Sequence, residues 1–428
     1  MTVTIPPGPV SGTLAAIPSK SAAHRLLIAA ALADRPARIL FSKSNQDMEA
    51  TLRCLAGLGA GIAAFDGGVE ITPIDRTREI GRCTLDCGES GSTLRFLVPV
   101  AGARGAEAVF LLAGRLAQRP MEPLAGQLAA HGCTLTLDRE ANTLTVSGKL
   151  EPGDYALPGN VSSQFFTGLL FALPLLKTES TLRFLGDLES AGYIDLTLDA
   201  LKKFGVTAPP LAAGGWTVPA QGYHSPGELA VEGDWSNAAP WLCMGALAGD
   251  GVTVTGLEME SLQGDRAVCR VLEAMGGRVT RTGGDVTVRP GGPETEITAA
   301  HVVDARNIPD LVPALAAVAA VLPGETRFTG AARLRLKESD RLETTAGLLN
   351  ALGGQVRVTE DGLVITGVPR LTGGTVDAAG DHRIAMAAAA ASVACQNPVT
   401  VTGAEAVAKS YPDFWRDLAR LGKDVTIA

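Results

Sequence analysis

The sequence predicts an α/β protein in which one supersecondary unit is repeated six times, with three units in each half of the chain. The first observation behind this prediction is that, about every seventy residues, a short polar motif opens an alanine-rich segment that is almost free of charge. Each motif offers an N-cap side chain or a small residue, and a helix that is apolar on all sides must be buried. We therefore predict buried helices at 26–33, 94–103, 165–176, 238–248, 311–322 and 384–395.

The second observation is a helix ending of the form Leu-x-x-x-Gly, which recurs six times and out of phase with the polar motifs. Glycine just past a helix is typical of a residue in the left-handed conformation. Four of the endings run into hairpin patterns, such as 278–281 with 286–288. The predicted unit is therefore buried helix, strand, amphipathic helix and hairpin, with endings at Gly59, Gly132, Gly205, Gly276, Gly353 and Gly422.

Composition limits the partners that the chain can have. At 428 residues, with 46% hydrophobic and 19% charged residues, the chain is too long for a single core. A net charge of −8 argues against nucleic acid or an anionic membrane as a general partner. An anionic ligand would have to be bound by a local cluster of Lys and Arg.

Other sequence features indicate a cytoplasmic protein without metal or cofactor. The start lacks the basic and apolar regions of a signal peptide, and no long apolar run predicts a membrane helix. Seven cysteines without a Cys-x-x-Cys pair indicate reduced thiols, and Cys83 and Cys87 are interpreted as strand residues. The glycine-rich loop 88–91 lacks the patterns that bind ATP or NAD.

The polar motifs of the first half allow both a functional and a plain structural interpretation. Lys20 and Arg25 oppose the dipole at a helix start, a conflict that a bound anion would resolve, whereas His24 could be a core histidine. Gly91 could cradle a small anion or simply make a turn. Arg115 could be an ordinary loop arginine, and Ser-Ser-Gln at 162–164 could be a capping box.

The motifs of the second half carry similar alternatives. Asp310 follows a proline at a helix start, so it could be a first-turn acid or a general base. The charge run 337–341 could be a solvated helix face, whereas 381–383 opens a helix too apolar to start at the surface. Together the motifs gather seven cations on an acidic protein, which indicates substrates with several negative charges. These cations are Lys20, Arg25, Arg115, Lys337, Arg341, Arg383 and Lys409.

With these motifs in order, the whole chain resembles the 5-enolpyruvylshikimate-3-phosphate synthases, members of the enolpyruvyl transferase family. The most specific motifs are Lys-Glu-Ser-Asp-Arg at 337–341, Asp-His-Arg-Ile-Ala-Met at 381–386 and Ser-Ser-Gln at 162–164. The resemblance implies a two-domain α/β fold of six βαβαββ units, three per domain, with the active site in the interdomain cleft. We expect residues 1–15 and 230–428 to form the first domain and 16–229 the second.

The resemblance also implies a reaction. The enolpyruvyl group of phosphoenolpyruvate would be transferred to the 5-hydroxyl of shikimate 3-phosphate, with release of phosphate, in chorismate and aromatic amino acid biosynthesis. Carried over by motif, Asp310 is the base that takes the hydroxyl proton, Glu338 is involved in protonating the methylene carbon, and Lys20 is a third catalytic residue. A monomer without nucleic acid or membrane partners is expected.

The ligands that the resemblance implies fall into two sets. For shikimate 3-phosphate they are Lys20, Ser21, Arg25, Ser162, Ser163, Gln164, Ser190, Asp310 and Lys337. For phosphoenolpyruvate they are Lys20, Gly91, Arg115, Gln164, Arg341, Arg383 and Lys409. The chain departs from the common family pattern at Glu89, Phe96 and Arg333, which leaves the roles of these three residues open.

Two other functions compete with this one. UDP-N-acetylglucosamine enolpyruvyl transferases share the fold and the chemistry, but many use a cysteine in the loop before the arginine that matches Arg115. Residues 111–119 contain no cysteine. A non-catalytic anion-binding protein is disfavoured, because Asp310 and Glu338 among the cations would weaken anion binding. Phosphate release with both substrates, compared with each alone, separates the three.

Overall fold

The computed structural model describes residues 1–247, 249–291 and 300–428, so that residue 248 of the predicted helix 238–248 lies outside the described residues. The strands, numbered in chain order, are β1 (Thr2–Ile5), β2 (Ser11–Ala15), β3 (Ala37–Leu40), β4 (Gly61–Phe65), β5 (Gly68–Thr72), β6 (Arg82–Asp86), β7 (Glu107–Leu111), β8 (Cys133–Asp138), β9 (Thr143–Gly148), β10 (Asp154–Pro158), β11 (Ser180–Leu185), β12 (Trp216–Val218), β13 (Glu228–Ala230), β14 (Gly251–Thr255), β15 (Arg278–Thr282), β16 (Asp285–Arg289), β17 (Ala300–Asp304), β18 (Glu325–Thr329), β19 (Gln355–Val358), β20 (Leu363–Thr366), β21 (Gly374–Asp377), β22 (Val399–Thr402) and β23 (Thr426–Ile427).

The α-helices lie between these strands, which confirms the predicted α/β class. They are α1 (Lys20–Ala31), α2 (Gln46–Gly57), α3 (Gly91–Ala103), α4 (Leu124–Ala130), α5 (Ser163–Ala172), α6 (Ala191–Lys203), α7 (Trp235–Leu247), α8 (Val268–Ala274), α9 (Val312–Ala319), α10 (Arg341–Ala351), α11 (His382–Ser392) and α12 (Phe414–Arg420).

The chain folds into two compact units. The first unit consists of Met1–Ser19 and Glu232–Ala428, and the second unit consists of Lys20–Val231. Each unit has a hydrophobic core of its own, built mainly from Ala, Leu and Val with few aromatic residues. This division gives each core the size of an ordinary domain.

Four of the six sheets of the described residues repeat one topology. In the sheet β6-β7-β9-β8, β6 and β7 are parallel across α3, and β8 and β9 form a hairpin that closes antiparallel on β7. The sheet β17-β18-β20-β19 repeats this βαβαββ arrangement. In the opening sheet of each unit, one edge strand comes from a distant part of the chain. In the first unit β2 pairs with β14, and in the second unit β13 pairs with β3.

The six predicted buried helices are present as α1, α3, α5, α7, α9 and α11. Every residue of α11 is buried, and most are alanines, which let neighbouring helices approach closely. Five of the six begin before their predicted apolar segment, because the polar motif itself forms the first turn. The exception is α9, whose first turn is the 3-10 segment Pro309–Leu311.

The six glycines after Leu-x-x-x all have φ between +77° and +101°, as the recurrence predicted. Four of these endings lead into hairpins, including β15–β16 and β19–β20. The other two endings lead into the short strands β12 and β23 instead of hairpins, and each of these strands lies at the edge of its sheet. Among the described residues, no helix combines the length and the apolar character needed to cross a lipid bilayer.

Candidate active site

In the second unit, a glutamine joins the starts of α3 and α5. The Gln164 side chain donates from Nε2 to the hydroxyl of Ser92 (3.0 Å) and accepts from Nη1 of Arg95 (2.7 Å). Ser162 caps α5 by accepting from the backbone N–H of Gln164 (3.3 Å). The capping-box alternative is therefore wrong for Gln164, whose side chain reaches α3 instead of folding back.

Lys20 lies at the start of α1 and is paired with an acid that the sequence analysis did not single out. Its Nζ lies 2.9 Å from Oδ2 of Asp47, in the first turn of α2. The Asp47 carbonyl accepts from the hydroxyl of Thr93 on α3 (3.5 Å). Asp47 thus links the starts of α1 and α3, and it offsets part of the unfavourable charge that Lys20 places at a helix N-terminus.

Arg25 is a buried guanidinium whose hydrogen bonds within the described residues all go to neutral oxygens. It donates to the hydroxyls of Thr167 and Thr197 and to the carbonyls of Ser21 and Tyr193, at 2.6–3.4 Å. Burial lowers its pKa to about 10. A charge taken out of water without a counter-charge favours a bound anion at this place.

His24 has the character of a core residue. Its Nδ1 lies 2.7 Å from the hydroxyl of Thr51, and burial, followed by the charges of Lys20 and Arg25, holds its pKa well below the ordinary value. The imidazole is therefore neutral near pH 7. Of the two interpretations of His24, the structure supports the core histidine.

Gly91 lies directly against an arginine, and that arginine is Arg119. A Cβ built at Gly91 would lie 2.5 Å from Nη1 and 2.9 Å from Cζ of Arg119. Arg119 is half-buried, whereas Arg115 is exposed. The structure therefore brings Arg119 to the start of α3, a residue that the sequence analysis passed over in favour of Arg115.

Ser190 precedes α6 in a backbone conformation that is unusual for its type. It is buried, its φ is +56°, and its side chain makes no capping hydrogen bond to α6. Non-glycine residues in the left-handed region carry strain that commonly persists at ligand sites. This geometry agrees with the ligand role expected for Ser190.

Two of the three departures from the family pattern lie in the second unit. The carboxylate of Glu89 lies against Gly114, immediately before Arg115. The Phe96 ring lies 5.2 Å from Cζ of Arg25, in cation–π geometry. Phe96 therefore helps to fix the guanidinium of a residue expected to bind substrate.

In the first unit, Arg341 is the centre of an ionic cluster. Its guanidinium contacts the carboxylates of Asp310 (2.7 Å), Glu338 (2.8 Å) and Asp381 (2.8 Å), and its side chain is only 2% exposed. Burial opposes the charge, but these three carboxylates outweigh it and raise the pKa of Arg341 well above its ordinary value. The interpretation of 337–341 as a solvated helix face is therefore wrong.

Asp310 lies beside two cations. Besides Arg341, its Oδ1 accepts from Nζ of Lys337 (3.3 Å). The pKa of Lys337 is lowered, mainly by burial and also by the charges of Arg341 and Arg333, while Asp310 and Glu338 act in the opposite direction. The third departure, Arg333, thus lies close to this pair, and it also donates to the carbonyl of Arg306.

Arg383 is held differently from Arg341. Its Nη1 donates to the carbonyl of Ser236 at the start of α7 (2.6 Å), and its backbone N–H is capped by Asp381 (2.9 Å). The side chain is 5% exposed, and its buried Nε has no hydrogen-bond partner among the described residues. Arg383 therefore keeps a side-chain donor without a hydrogen bond within the described residues, whereas the donors of Arg341 are already bound to carboxylates.

Lys409 is also buried, and its Nζ donates to the carbonyl of Gly380, just before the cap of α11 (2.6 Å). The next residue, Ser410, donates to the side chain of Asn237 on α7 (3.1 Å). Side chains thus connect the starts of α7, α9 and α11 in the first unit, as they connect the starts of α1, α3 and α5 in the second unit.

Both units therefore carry a cluster of cations at connected helix starts, with acids interspersed. No motif predicted the positions of Arg119, Asp47 or the buried carboxyl of Asp265, which accepts from the hydroxyl of Ser236. Within 1–247, 249–291 and 300–428, no group of three or more His, Cys, Asp or Glu side chains is arranged to hold a metal ion. All seven cysteines are free thiols.

Comparison with known proteins gives one consistent family. The family profile described as EPSP synthase (3-phosphoshikimate 1-carboxyvinyltransferase) matches residues 5–418. A 3-phosphoshikimate 1-carboxyvinyltransferase from Clostridium kluyveri is 40% identical over 423 residues, which cover 99% of this chain and 98% of the relative. A protein of the same name from Clostridium acetobutylicum is 38% identical over 426 residues, covering 99% of this chain and 98% of the relative.

Solved structures agree with the profile. EPSP synthase from Acinetobacter baumannii superposes with a TM-score of 0.78 at 26% identity, over 100% of both chains. The enolpyruvyl transferase NikO from Streptomyces tendae has a TM-score of 0.77 over 99% of this chain and 98% of its own, and at 20% identity it supports the fold alone. The chain belongs to the EPSP synthase (3-phosphoshikimate 1-carboxyvinyltransferase) family.

Proposed function

We propose that this protein transfers the enolpyruvyl group of phosphoenolpyruvate to the 5-hydroxyl of shikimate 3-phosphate and releases inorganic phosphate. The observation that carries the proposal is the cluster around Arg341, where Asp310 and Glu338 are held beside Lys337. A site that only bound anions would gain nothing from these acids. A site that also moves protons needs them.

Shikimate 3-phosphate binds mainly through the second unit in this proposal. Ser21, Arg25, Ser162, Ser163 and Ser190 are its ligands there, together with Lys20 and Gln164, and Asp310 and Lys337 are its ligands from the first unit. Arg25 supports the assignment because its buried charge lacks an acidic partner among the contacts given. A phosphate group would supply the missing negative charge.

Phosphoenolpyruvate binds through Lys20, Gln164, Gly91, Arg115, Arg341, Arg383 and Lys409, to which we add Arg119. The start of α3 presents free backbone N–H groups at Gly91, and these suit an anion. Arg119 lies against that same turn. Arginine binds carboxylate and phosphate through two parallel hydrogen bonds, which suits both ends of this substrate.

The addition step requires two proton transfers, and the elimination step requires a third. Asp310 takes the proton of the 5-hydroxyl as the hydroxyl oxygen attacks C2 of phosphoenolpyruvate. At the same time, the methylene carbon of phosphoenolpyruvate gains a proton and becomes a methyl group. Glu338 and Lys20 take part in this second transfer. Loss of a methyl proton and of phosphate from the tetrahedral intermediate then gives the enol ether. The surrounding cations stabilise the negative charge throughout.

Phosphate release tests the proposed function. We expect release only when phosphoenolpyruvate and shikimate 3-phosphate are both present, and none with either alone. UDP-N-acetylglucosamine in place of shikimate 3-phosphate should give no release. Release with UDP-N-acetylglucosamine, or binding of the substrates without turnover, would contradict the proposal in favour of one of the two competing functions.

Arg119→Ala and Arg115→Ala form a matched pair of variants, four residues apart in one loop. Because Arg119 lies against Gly91 and Arg115 is exposed, we expect Arg119→Ala to raise the KM for phosphoenolpyruvate by roughly 10-fold or more, as for a lost charged hydrogen bond. Arg115→Ala should change it far less. Steady-state kinetics decide, and a larger effect of Arg115→Ala would make Arg115, not Arg119, the main ligand from this loop.

Activity should survive treatment with a chelator. Arg and Lys side chains supply the positive charge that Mg²⁺ supplies in many phosphate-handling sites, so no metal is needed for the proposed chemistry. The measurement is phosphate release before and after incubation with EDTA. Loss of activity that Mg²⁺ restores would contradict this expectation.

We further propose that the two units are the two domains of the family fold, and that the protein acts as a monomer in the cytoplasm, where both small-molecule substrates would be available. Free thiols at all seven cysteines agree with a reducing compartment.

A further inference from the structure

Asp265 is a buried carboxyl that neither the motif analysis nor the proposed mechanism uses. It lies in the 3-10 turn Gly264–Ala267 of the first unit and is 2% exposed. Its Oδ2 accepts a short hydrogen bond from the hydroxyl of Ser236. Its Oδ1 is buried and has no hydrogen-bond partner among the described residues. Burying a half-satisfied carboxyl costs stability, so a role beyond packing is expected.

The residues before Asp265 fix its position between two parts of the site. Gln263 accepts from the backbone N–H of Trp235 (3.0 Å) and donates to the carbonyl of Gly233 (2.8 Å), which attaches the turn to the start of α7. A Cβ at Gly264 would lie 2.8 Å from the carbonyl oxygen of Asn307. The turn therefore also lies against the segment that leads into Asp310.

Ser236 connects Asp265 to Arg383. Its hydroxyl donates to Asp265, and its carbonyl accepts from Nη1 of Arg383 (2.6 Å). The carboxyl of Asp265 thus holds Ser236, and the carbonyl of Ser236 in turn holds the guanidinium of Arg383. Because Nε of Arg383 is buried without a partner, this contact to Ser236 is the main side-chain restraint on the arginine among the described residues.

The charges that face Asp265 are Asp310, Asp234 at the start of α7, and Arg383. The pKa of Asp265 is raised to about 7, mainly by burial and further by the negative charges of Asp310 and Asp234. The hydrogen bond from Ser236 and the charge of Arg383 act in the opposite direction. Asp265 therefore changes its charge near neutral pH, unlike an ordinary aspartate.

We propose that Asp265 is a positioning residue for Arg383: through the hydroxyl of Ser236 it fixes the carbonyl that orients the guanidinium toward phosphoenolpyruvate. This inference rests on the proposed function, in which Arg383 binds phosphoenolpyruvate. Asp265 does not touch substrate in this account.

A pH dependence follows from the same geometry. An anion bound at Arg383 favours the neutral form of Asp265, because the ionised form would add a second negative charge nearby. Binding of phosphoenolpyruvate is therefore linked to proton uptake by Asp265, and its affinity falls as the pH rises through about 7. Asp265→Asn cannot ionise, so it lacks this component.

Kinetics of Asp265→Ala, Ser236→Ala and the double variant test the positioning role. We expect each single variant to raise the KM for phosphoenolpyruvate by roughly 10-fold, the scale of one well-placed hydrogen bond, and to leave the KM for shikimate 3-phosphate nearly unchanged. The double variant should be no worse than either single variant, because both changes break the same connection. Asp285→Asn, at an exposed position of the same unit, is the control.

Asp265→Asn keeps the shape of the side chain and separates positioning from packing. At pH about 6 it should bind phosphoenolpyruvate nearly as well as the wild type, and it should show a weaker rise in KM above pH 7 than the wild type shows. The ionisation of phosphoenolpyruvate itself is common to both proteins and cancels in the comparison.

Two results would overturn the inference. One is that Asp265→Ala and Asp265→Asn lower the melting temperature but leave both KM values and their pH dependence unchanged, as for a purely structural residue. The other is that the effects of Asp265→Ala and Ser236→Ala on the KM for phosphoenolpyruvate are additive. If the wild type released no phosphate, the proposed function would fail instead, and calorimetry of phosphoenolpyruvate binding to wild type and Asp265→Asn would still test the linked proton uptake.

Discussion

Asp310→Asn is expected to lower kcat by roughly 10²–10⁴-fold, the range for loss of a general base. The amide has nearly the shape of the carboxylate but cannot take the proton of the 5-hydroxyl. Stability should change little, because Arg341 keeps Glu338 and Asp381 as partners and only the contacts to Asp310 are weakened. Affinity for shikimate 3-phosphate should fall much less than kcat, since its phosphate is bound by other residues in the proposed site.

The measurement for this variant is kcat, the Kd of shikimate 3-phosphate and the melting temperature on one preparation. Asp424→Asn, an exposed position in the same unit, serves as the control. If Asp310→Asn loses melting temperature but keeps kcat per folded molecule, Asp310 is a structural partner of Arg341 and the assigned mechanism is wrong.

Arg383→Ala is expected to weaken phosphoenolpyruvate binding by roughly 2–5 kcal/mol, the cost of removing one partner from a desolvated charge pair. Affinity for shikimate 3-phosphate should remain close to that of the wild type. Melting temperature should fall only modestly, because within the described residues the side chain contacts a carbonyl but no carboxylate. Calorimetry with each substrate measures both affinities, and an unchanged affinity for phosphoenolpyruvate would place Arg383 outside the site.

Arg341→Ala provides the matched comparison, because the Arg341 guanidinium pairs with three carboxylates at 2.7–2.8 Å. Its removal leaves the three acids close together without this shared cation, although Lys337 still contacts Asp310. Breaking a buried pair costs roughly 3–5 kcal/mol of folding free energy. The loss in melting temperature should therefore be much larger for Arg341→Ala than for Arg383→Ala. Equal losses would show that the two arginines do not differ in the way the structure indicates.

The repeated units could be predicted from the sequence because their signals are local. A glycine after Leu-x-x-x marks a left-handed residue, and an alanine-rich segment marks a helix buried on all sides. What these signals could not give was the first strand of each opening sheet. Because β2 and β13 are far in sequence from the strands they pair with, their pairing depends on tertiary structure and not on a local pattern.

The residues of the candidate site could be predicted where they belong to dense motifs. Single acids that contact the site only through a neighbouring side chain were missed. Asp47 lies in an ordinary helical first turn, and its role follows only from the 2.9 Å contact to Lys20. Asp265 lies in a turn without a periodic signal, and its contact to Ser236 joins residues 29 positions apart. The choice between Arg115 and Arg119 depended on which side chain reaches Gly91, and spacing along one loop does not determine that.

The central claim, that this chain joins the enolpyruvyl group to the 5-hydroxyl of shikimate 3-phosphate, is tested most directly by following carbon from one substrate into the other. The purified protein is incubated with phosphoenolpyruvate labelled with ¹³C at C2 and with shikimate 3-phosphate, and the product is examined by NMR. We predict an enol ether carbon coupled to the proton at C5 of the shikimate ring, in an amount equal to the phosphate released. Labelled pyruvate in place of this ether, or phosphate release without it, would contradict the account.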